Sequence, residues 1–357
     1  MRVWGYPIWC LGVLQAGSLV LVVELWILPR SGTQTRDWLS VPEQATILKS
    51  LLPTMSPQLP LTLRVPASTS NLGPGFDFLG LALSLWLEVR VEARREAPGI
   101  VWRERTGTAR EWPEGPENLL WRAYEGACRR SSQPVRGWEL SVRSEIPLAR
   151  GLGSSGAAIA AGIRLAALEA PEYWTSQRQI EWGLELEGHP DNTTAALLGG
   201  LTLAVPLSEG RLRVVQPPLS PRLGFALAWS EVRVPTTRAR AVLPAAVPFR
   251  DAVENPRRLA LLLWGLQHGD PECVREGIAD RLHVPYRLTL IPGGAAALEQ
   301  ARSRGAYAAT ISGSGSTLIA IGERGAMQAC ADAMAEELRR VNGTAIARVV
   351  EPVLSPS

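Results

Sequence analysis

The stretch Ile146-Pro-Leu-Ala-Arg-Gly-Leu-Gly-Ser-Ser-Gly156 runs directly into the small apolar residues of 157–162, and this junction has the makings of a phosphate cradle. Gly151 and Gly153 permit positive φ and let a ligand approach the main chain. The spacing predicts that the N–H groups of Ser154, Ser155, Gly156 and Ala157 open a helix, where unpaired donors and the positive end of the dipole attract anions. Taken alone, a serine-capped core helix explains the same residues equally well. Lys49 is the only lysine in the chain, so all later positive charge comes from arginine and histidine. No Walker-type lysine or Schiff base can serve the body of the protein. Phosphates there must be held by backbone N–H groups, hydroxyls, arginine and a metal ion.

Two further loops repeat this glycine-serine chemistry, Pro66-Ala-Ser-Thr-Ser-Asn-Leu-Gly-Pro-Gly-Phe-Asp77 and Ile311-Ser-Gly-Ser-Gly-Ser-Thr317, and Glu187-Gly-His-Pro-Asp-Asn192 adds titratable groups in a turn. Singly, each is the composition of an ordinary turn. The elements that must position them follow from periodicity. Leu61, Leu63 and Val65 alternate into the first loop, and Leu81, Leu83, Leu85, Leu87, Val89 and Val91 mark a long half-buried strand. A helix is predicted over 118–130, a strand over 138–144, and a helix from a capping box at Ser176 and Gln179 to about 186. A hairpin is expected over 200–206 and 211–216, and Pro217, Pro218 and Pro221 mark a domain boundary. Beyond it come strands at 225–229, 306–311, 317–321 and 345–350, with helices at 255–268, 295–304 and 326–340. This mixture without a βαβ rhythm predicts an α+β fold. The expected units are an N-terminal extension over 1–59, a domain over 60–218 and a domain over 219–357.

The 357 residues, 46% apolar and 20% charged, suffice for two globular domains. A net charge of +3 without an aromatic-basic run argues against a nucleic-acid partner. Cysteines at 10, 128, 273 and 330 show no CxxC pairing and no histidine at metal-ligand spacing, which suits a reducing cytoplasm. Residues 3–28 are long and apolar enough for a membrane span, but Glu24 and the glycines interrupt them and no cleavage site follows. The favoured reading sets this stretch outside the functional protein, with no membrane role for the catalytic fold, and a chain starting at Met55 is expected to fold and be active.

Taken in this order and spacing, the three loops resemble the three motifs of the GHMP kinase superfamily, the second being its Pro-xxx-Gly-Leu-Gly-Ser-Ser loop. The Pro66–Asp77 segment and Glu187-Gly-His-Pro-Asp-Asn192 resemble the homoserine kinase branch, over about residues 60–350. Thr69-Ser70-Asn71, Gly156, Thr193-Thr194-Ala195 and Ser316 depart from the usual motif without removing a side chain that has an assigned role. The resemblance implies a two-domain GHMP kinase fold, an N-terminal domain like ribosomal protein S5 domain 2 and a ferredoxin-like C-terminal domain, with ATP and Mg²⁺ between them. It implies transfer of phosphate from ATP to L-homoserine, with a homodimer left open. Another small-molecule kinase of this superfamily, and a non-catalytic sensor on the same fold, are the alternatives.

Under that resemblance Pro147, Arg150, Gly151, Leu152, Gly153, Ser154, Ser155 and Gly156 bind the phosphates of ATP. Ser155 and Glu181, eight residues before His189, hold Mg²⁺ by hydroxyl and carboxylate oxygens. Asn71 holds the acceptor hydroxyl, Asp191 the ammonium, and Arg240 and Arg287 the carboxylate, with Thr236 lining the pocket and His189 orienting the turn. Asn71, Asp191 and Arg240 are the expected catalytic set. A strong general base is not required, because phosphoryl transfer has a loose transition state governed by positioning and charge neutralisation.

Overall fold

A computed structural model describes residues 58–208 and 211–355, together with two short strands, β1 (Leu11–Gln15) and β2 (Ser18–Val22). Residues 1–55 and 56–357 form separate compact units. In the first, β1 and β2 pair antiparallel as a hairpin, with Gln15 opposite Ser18. The rest of the apolar stretch 3–28, with Lys49 and Met55, lies outside the described residues. Among the described residues no helix is long and apolar enough to cross a membrane.

In the second unit, β3 (Leu61–Ser70) leads to the long strand β4 (Leu79–Arg95) and then to β5 (Gly99–Gly107). Asn118 caps α1 (Leu119–Arg130), accepting from Trp121 N at 3.2 Å, and β6 (Gly137–Ser144) follows. Next come α2 (Ser154–Ala167), α3 (Ser176–Glu187), α4 (Asp191–Leu198), β7 (Leu201–Pro206) and β8 (Leu212–Val215). The predicted capping box is displaced by one residue: Thr175 caps α3, and the Gln179 amide turns to Trp174 O.

β4 organises this sheet. β3 pairs with one edge, from Leu61 opposite Val91 to Ser70 opposite Gly80. On the other edge β6 pairs with the end of β4 and β7 with its start, so Leu79–Leu81 meets 201–203 and Leu87 meets Ser144. The chain tail fills the interval between them, with Ser84 N donating to Glu351 O at 2.9 Å and Val353 N to Ala82 O at 3.0 Å. From Leu83 to Val91 the odd residues of β4 are buried beneath the helices, as the period of two predicts. Each such side chain contributes roughly 1.5–3 kcal/mol. Sequence reasoning missed β5, whose half-exposed residues show no alternation, and it ended β3 at Pro66 although pairing continues to Ser70.

α2 is almost wholly buried because its glycines and alanines allow close helix packing. A Cβ on Gly162 would lie 2.2 Å from Leu120 O of α1, so only glycine fits.

The second sheet begins with β9 (Leu223–Trp229). Then follow α5 (Thr236–Ala241), α6 (Phe249–His268), α7 (Pro271–Gly277), α8 (Val284–Leu288) and α9 (Gly294–Ser303). β10 (Ala306–Ile311), β11 (Leu318–Glu323), α10 (Met327–Asn342) and β12 (Ile346–Val350) complete the unit. Strand order is β10-β11-β9-β12, all antiparallel, and α9 and α10 bury one face against a separate apolar core. The fold is α+β, as expected.

Candidate active site

The three glycine-serine loops meet. Ser68 N donates to Leu152 O at 3.2 Å, Gly313 N to Ser70 O at 2.8 Å, and Thr317 N to Arg150 O at 3.1 Å. The Ser312 hydroxyl adds bonds to Thr69 Oγ1 at 2.8 Å and Gly151 O at 2.7 Å. A Cβ on Gly151 would strike Ser312 O at 2.0 Å, and one on Gly153 would strike Ser68 Oγ at 2.0 Å; both glycines also have positive φ. The loops therefore close on each other only where side chains are absent, beside a cleft of about 410 Å³.

In the cleft wall Gly153, in the left-handed conformation, opens α2. The first N–H groups of any helix lack intrahelical acceptors, so Ser154 and Ser155 present donors and the helix dipole to the cleft. Ser155 Oγ donates to Glu187 Oε1 at 2.7 Å, and the other carboxylate oxygen accepts from Thr193 Oγ1. Burial raises the pKa of Glu187. The expected Ser155–Glu181 pair does not form. Both acids lie on α3, but six residues separate them, roughly 9 Å along the axis and most of two turns. Glu181 instead accepts from Gln177 Nε2 at 2.7 Å.

Two other phosphate-loop expectations are corrected. Arg150 lines the cleft, but its guanidinium is already engaged by the protein, donating to Ser230 O at 2.8 Å and pairing with Glu231 at 2.6 Å. It ties the loop to the end of β9. Gly156 is absent from the cleft wall; a Cβ there would approach Asn192 and Thr193 to 3.0 Å, so this glycine serves the packing of α2 on α4. Pro147, Gly151 and Leu152 line the cleft.

Acids and arginines also line the cleft. Asn71, at φ 55, accepts from Asp77 N at 2.7 Å. Asp191 is fully buried at the start of α4, and its Oδ1 accepts from Asn192 N at 2.8 Å and faces His189 Nδ1 at 2.7 Å. Its Oδ2 is buried with no partner, an acceptor aimed at nothing the protein provides. Burial opposes charge on His189, but the bond to Asp191 and the charges of Asp191 and Glu187 prevail and raise its pKa. The Arg240 guanidinium is doubly bonded to Asp77, both contacts at 2.8 Å, and that bond raises its pKa. Arg287 is 1% exposed and donates only to carbonyls, Ala239 O at 3.2 Å and Gly313 O at 3.1 Å. Burial, reinforced by Arg240, pulls its pKa down to about 10. A buried guanidinium without a carboxylate partner suits an anionic ligand. Thr236, at the start of α5, also lines the cleft.

Sequence reasoning missed Asp77 and Glu187, although both stand in quoted motifs. Asp77 closes the first loop at φ 61, an uncommon conformation for aspartate, and Glu187 is the last residue before the left-handed Gly188. Gly313 and Ser314 of the third loop, with Trp112, Pro113 and Asn118, also line the cleft.

This fold and this loop set define a small-molecule kinase class. Residues 118–200 match the GHMP kinases N terminal domain and residues 262–340 the GHMP kinases C terminal family. A homoserine kinase from Synechococcus sp. (strain CC9605) is 38% identical over 262 residues, covering 72% of this chain and 82% of that protein. One from Prochlorococcus marinus (strain MIT 9301) is 37% identical over 264 residues, covering 73% and 83%. The crystal structure of homoserine kinase from Cytophaga hutchinsonii superposes with a TM-score of 0.74 at 25% identity, covering 84% of this chain and 97% of that one. The chain belongs to the homoserine kinase family of GHMP kinases.

Proposed function

We propose that this protein transfers the γ-phosphoryl group of ATP to the side-chain hydroxyl of L-homoserine, giving O-phospho-L-homoserine for threonine biosynthesis. The observation that carries the reading is one cleft lined both by an anion-binding helix start and by the carboxylate-free Arg287. ATP phosphates lie against the N–H groups of Ser154 and Ser155 and the backbone of Gly151 and Gly153. Mg²⁺ fits the Ser155–Glu187 pair, since this ion binds through one or two protein oxygens together with substrate phosphates. Held by Ser155 and Glu187, the ion would supply charge neutralisation on the transferring phosphate.

Arg287 and Arg240 bind the amino-acid carboxylate, and Asn71 positions the hydroxyl. Asp191 offers its unpartnered Oδ2 to the ammonium. Asp77 shares Arg240 and supplies a second negative charge beside it. His189 holds Asp191 from the opposite side and moves no proton. The acceptor proton leaves late, onto the phosphate. We infer a cytoplasmic enzyme, consistent with the free thiols of Cys128, Cys273 and Cys330.

ADP release measured with homoserine and with its carboxamide tests the carboxylate assignment. Homoserine is expected to be preferred by at least about tenfold, and equal use of the two would remove the role of the arginines.

A further inference from the structure

Behind the loop that carries Asn71 and Asp77 stands a side chain that no step above uses. His283 is fully buried, and its Nε2 lies 2.7 Å from Gly73 O, in the middle of that loop. A carbonyl can only accept, so Nε2 carries the proton. Nδ1 is buried without a partner, which fixes the ring as a neutral single donor. Burial lowers the pKa of His283 and keeps it so.

The histidine is itself held from behind. Asp280 Oδ2 accepts from the N–H groups of Leu282, His283 and Val284 at 3.1, 2.7 and 2.7 Å. Its Oδ1 accepts from Asn255 Nδ2 at 2.7 Å, and Asn255 Oδ1 accepts from Arg281 N at 2.9 Å. This closed turn leads into α8, where Arg287 N bonds His283 O at 3.0 Å. His283 and Arg287 thus sit one turn apart on a rigid element. Both meet Phe76, the His283 ring at 5.1 Å between centroids and the Arg287 guanidinium at 4.9 Å. Gly73 is pressed against the same segment, since a Cβ there would fall 2.4 Å from Ile278 O.

We propose that His283 is a positioning residue that sets the length of the substrate site, by fixing the Asn71–Asp77 loop against the element that carries Arg287. This rests on the homoserine reading above. The hydroxyl end is held from β3 and its loop, the carboxylate end from α8, and His283 makes the side-chain hydrogen bond that joins them. A change in that spacing alters which chain length bridges the two ends, and one methylene carries roughly 10–200-fold discrimination in a fitted site.

The test compares L-homoserine with L-serine and with the hydroxy amino acid one methylene longer, in full-length wild type, His283→Leu and His283→Gln. Wild-type turnover of homoserine is the control: its absence defeats the functional reading, not this one. With the control met, His283→Leu is expected to raise the homoserine KM by at least about tenfold, leave the ATP KM within about twofold and reduce the preference over both homologues. His283→Gln keeps a donor at the same reach and should stay near wild type. If His283→Leu retains the chain-length preference, or if both KM values rise together with the preference intact, His283 only supports the fold and the proposal fails. Should His283→Leu yield no soluble protein, Asn255→Ala, which loosens the turn from outside the cleft, decides by the same ratio: a reduced preference supports the proposal and an unchanged one overturns it.

Discussion

The Ser155 hydroxyl donates to the Glu187 carboxylate at 2.7 Å, joining the first turn of α2 to the last residue of α3. Under the proposed function this hydroxyl and half-buried carboxylate would hold Mg²⁺ together with the nucleotide phosphates. Glu187→Gln is therefore expected to raise the Mg²⁺ concentration for half-maximal turnover by at least about tenfold. Glu181→Gln should leave it within about twofold, because Glu181 bonds to Gln177. A Mg²⁺ titration of both variants checks this, and the reverse order of effects would return the metal to Glu181.

The two arginines differ in how much of their charge the protein already satisfies. Arg287 is 1% exposed and has only carbonyl acceptors, whereas the Arg240 side chain is 38% exposed and already paired with Asp77. Arg287→Leu is expected to cost about 2–5 kcal/mol in homoserine binding, the range for a buried charge pair that loses one partner. Arg240→Leu should cost less, yet still at least about tenfold, because exposure to solvent screens it. Steady-state kinetics with homoserine and its carboxamide measures both, and neither substitution should matter much for the carboxamide.

His283 gives the fold a defined acid response. Its pKa is lowered by burial below the ordinary 6.5, so between that lowered value and 6.5 the unfolded chain binds more protons than the native one. Stability contributed by the neutral ring is present above about pH 6.5 and is lost as pH falls through the window. The Tm difference between wild type and His283→Gln should accordingly shift against wild type from pH 7.5 to pH 5. A difference independent of pH would mean that His283 titrates alike in both states.

Much of the fold was legible because its signals are local. The alternation of β4, the Asn118 cap and the small residues of α2 each report their own environment within a few positions. The loops were legible as glycine-serine clusters, since glycine alone fits where Gly151 meets Ser312 and Gly153 meets Ser68. Pairings across the cleft were not. Which acid faces Ser155 depends on the rotation of α3 and on its exit at Gly188, and counting residues from His189 selected the wrong face. Arg150 looks like a phosphate ligand in a sequence, yet its carbonyl partner Ser230 lies 80 positions away. Asp77 gained meaning only through Arg240, 163 positions on.

The central claim is phosphoryl transfer to a specific hydroxyl, and phosphorus NMR with mass spectrometry of the products tests it most directly. Purified full-length protein with ATP, Mg²⁺ and L-homoserine is expected to yield a phosphomonoester on the homoserine side chain, in step with ADP, while Arg287→Leu at the same substrate level yields far less. Release of inorganic phosphate alone, or ADP formation indifferent to homoserine, would contradict the account.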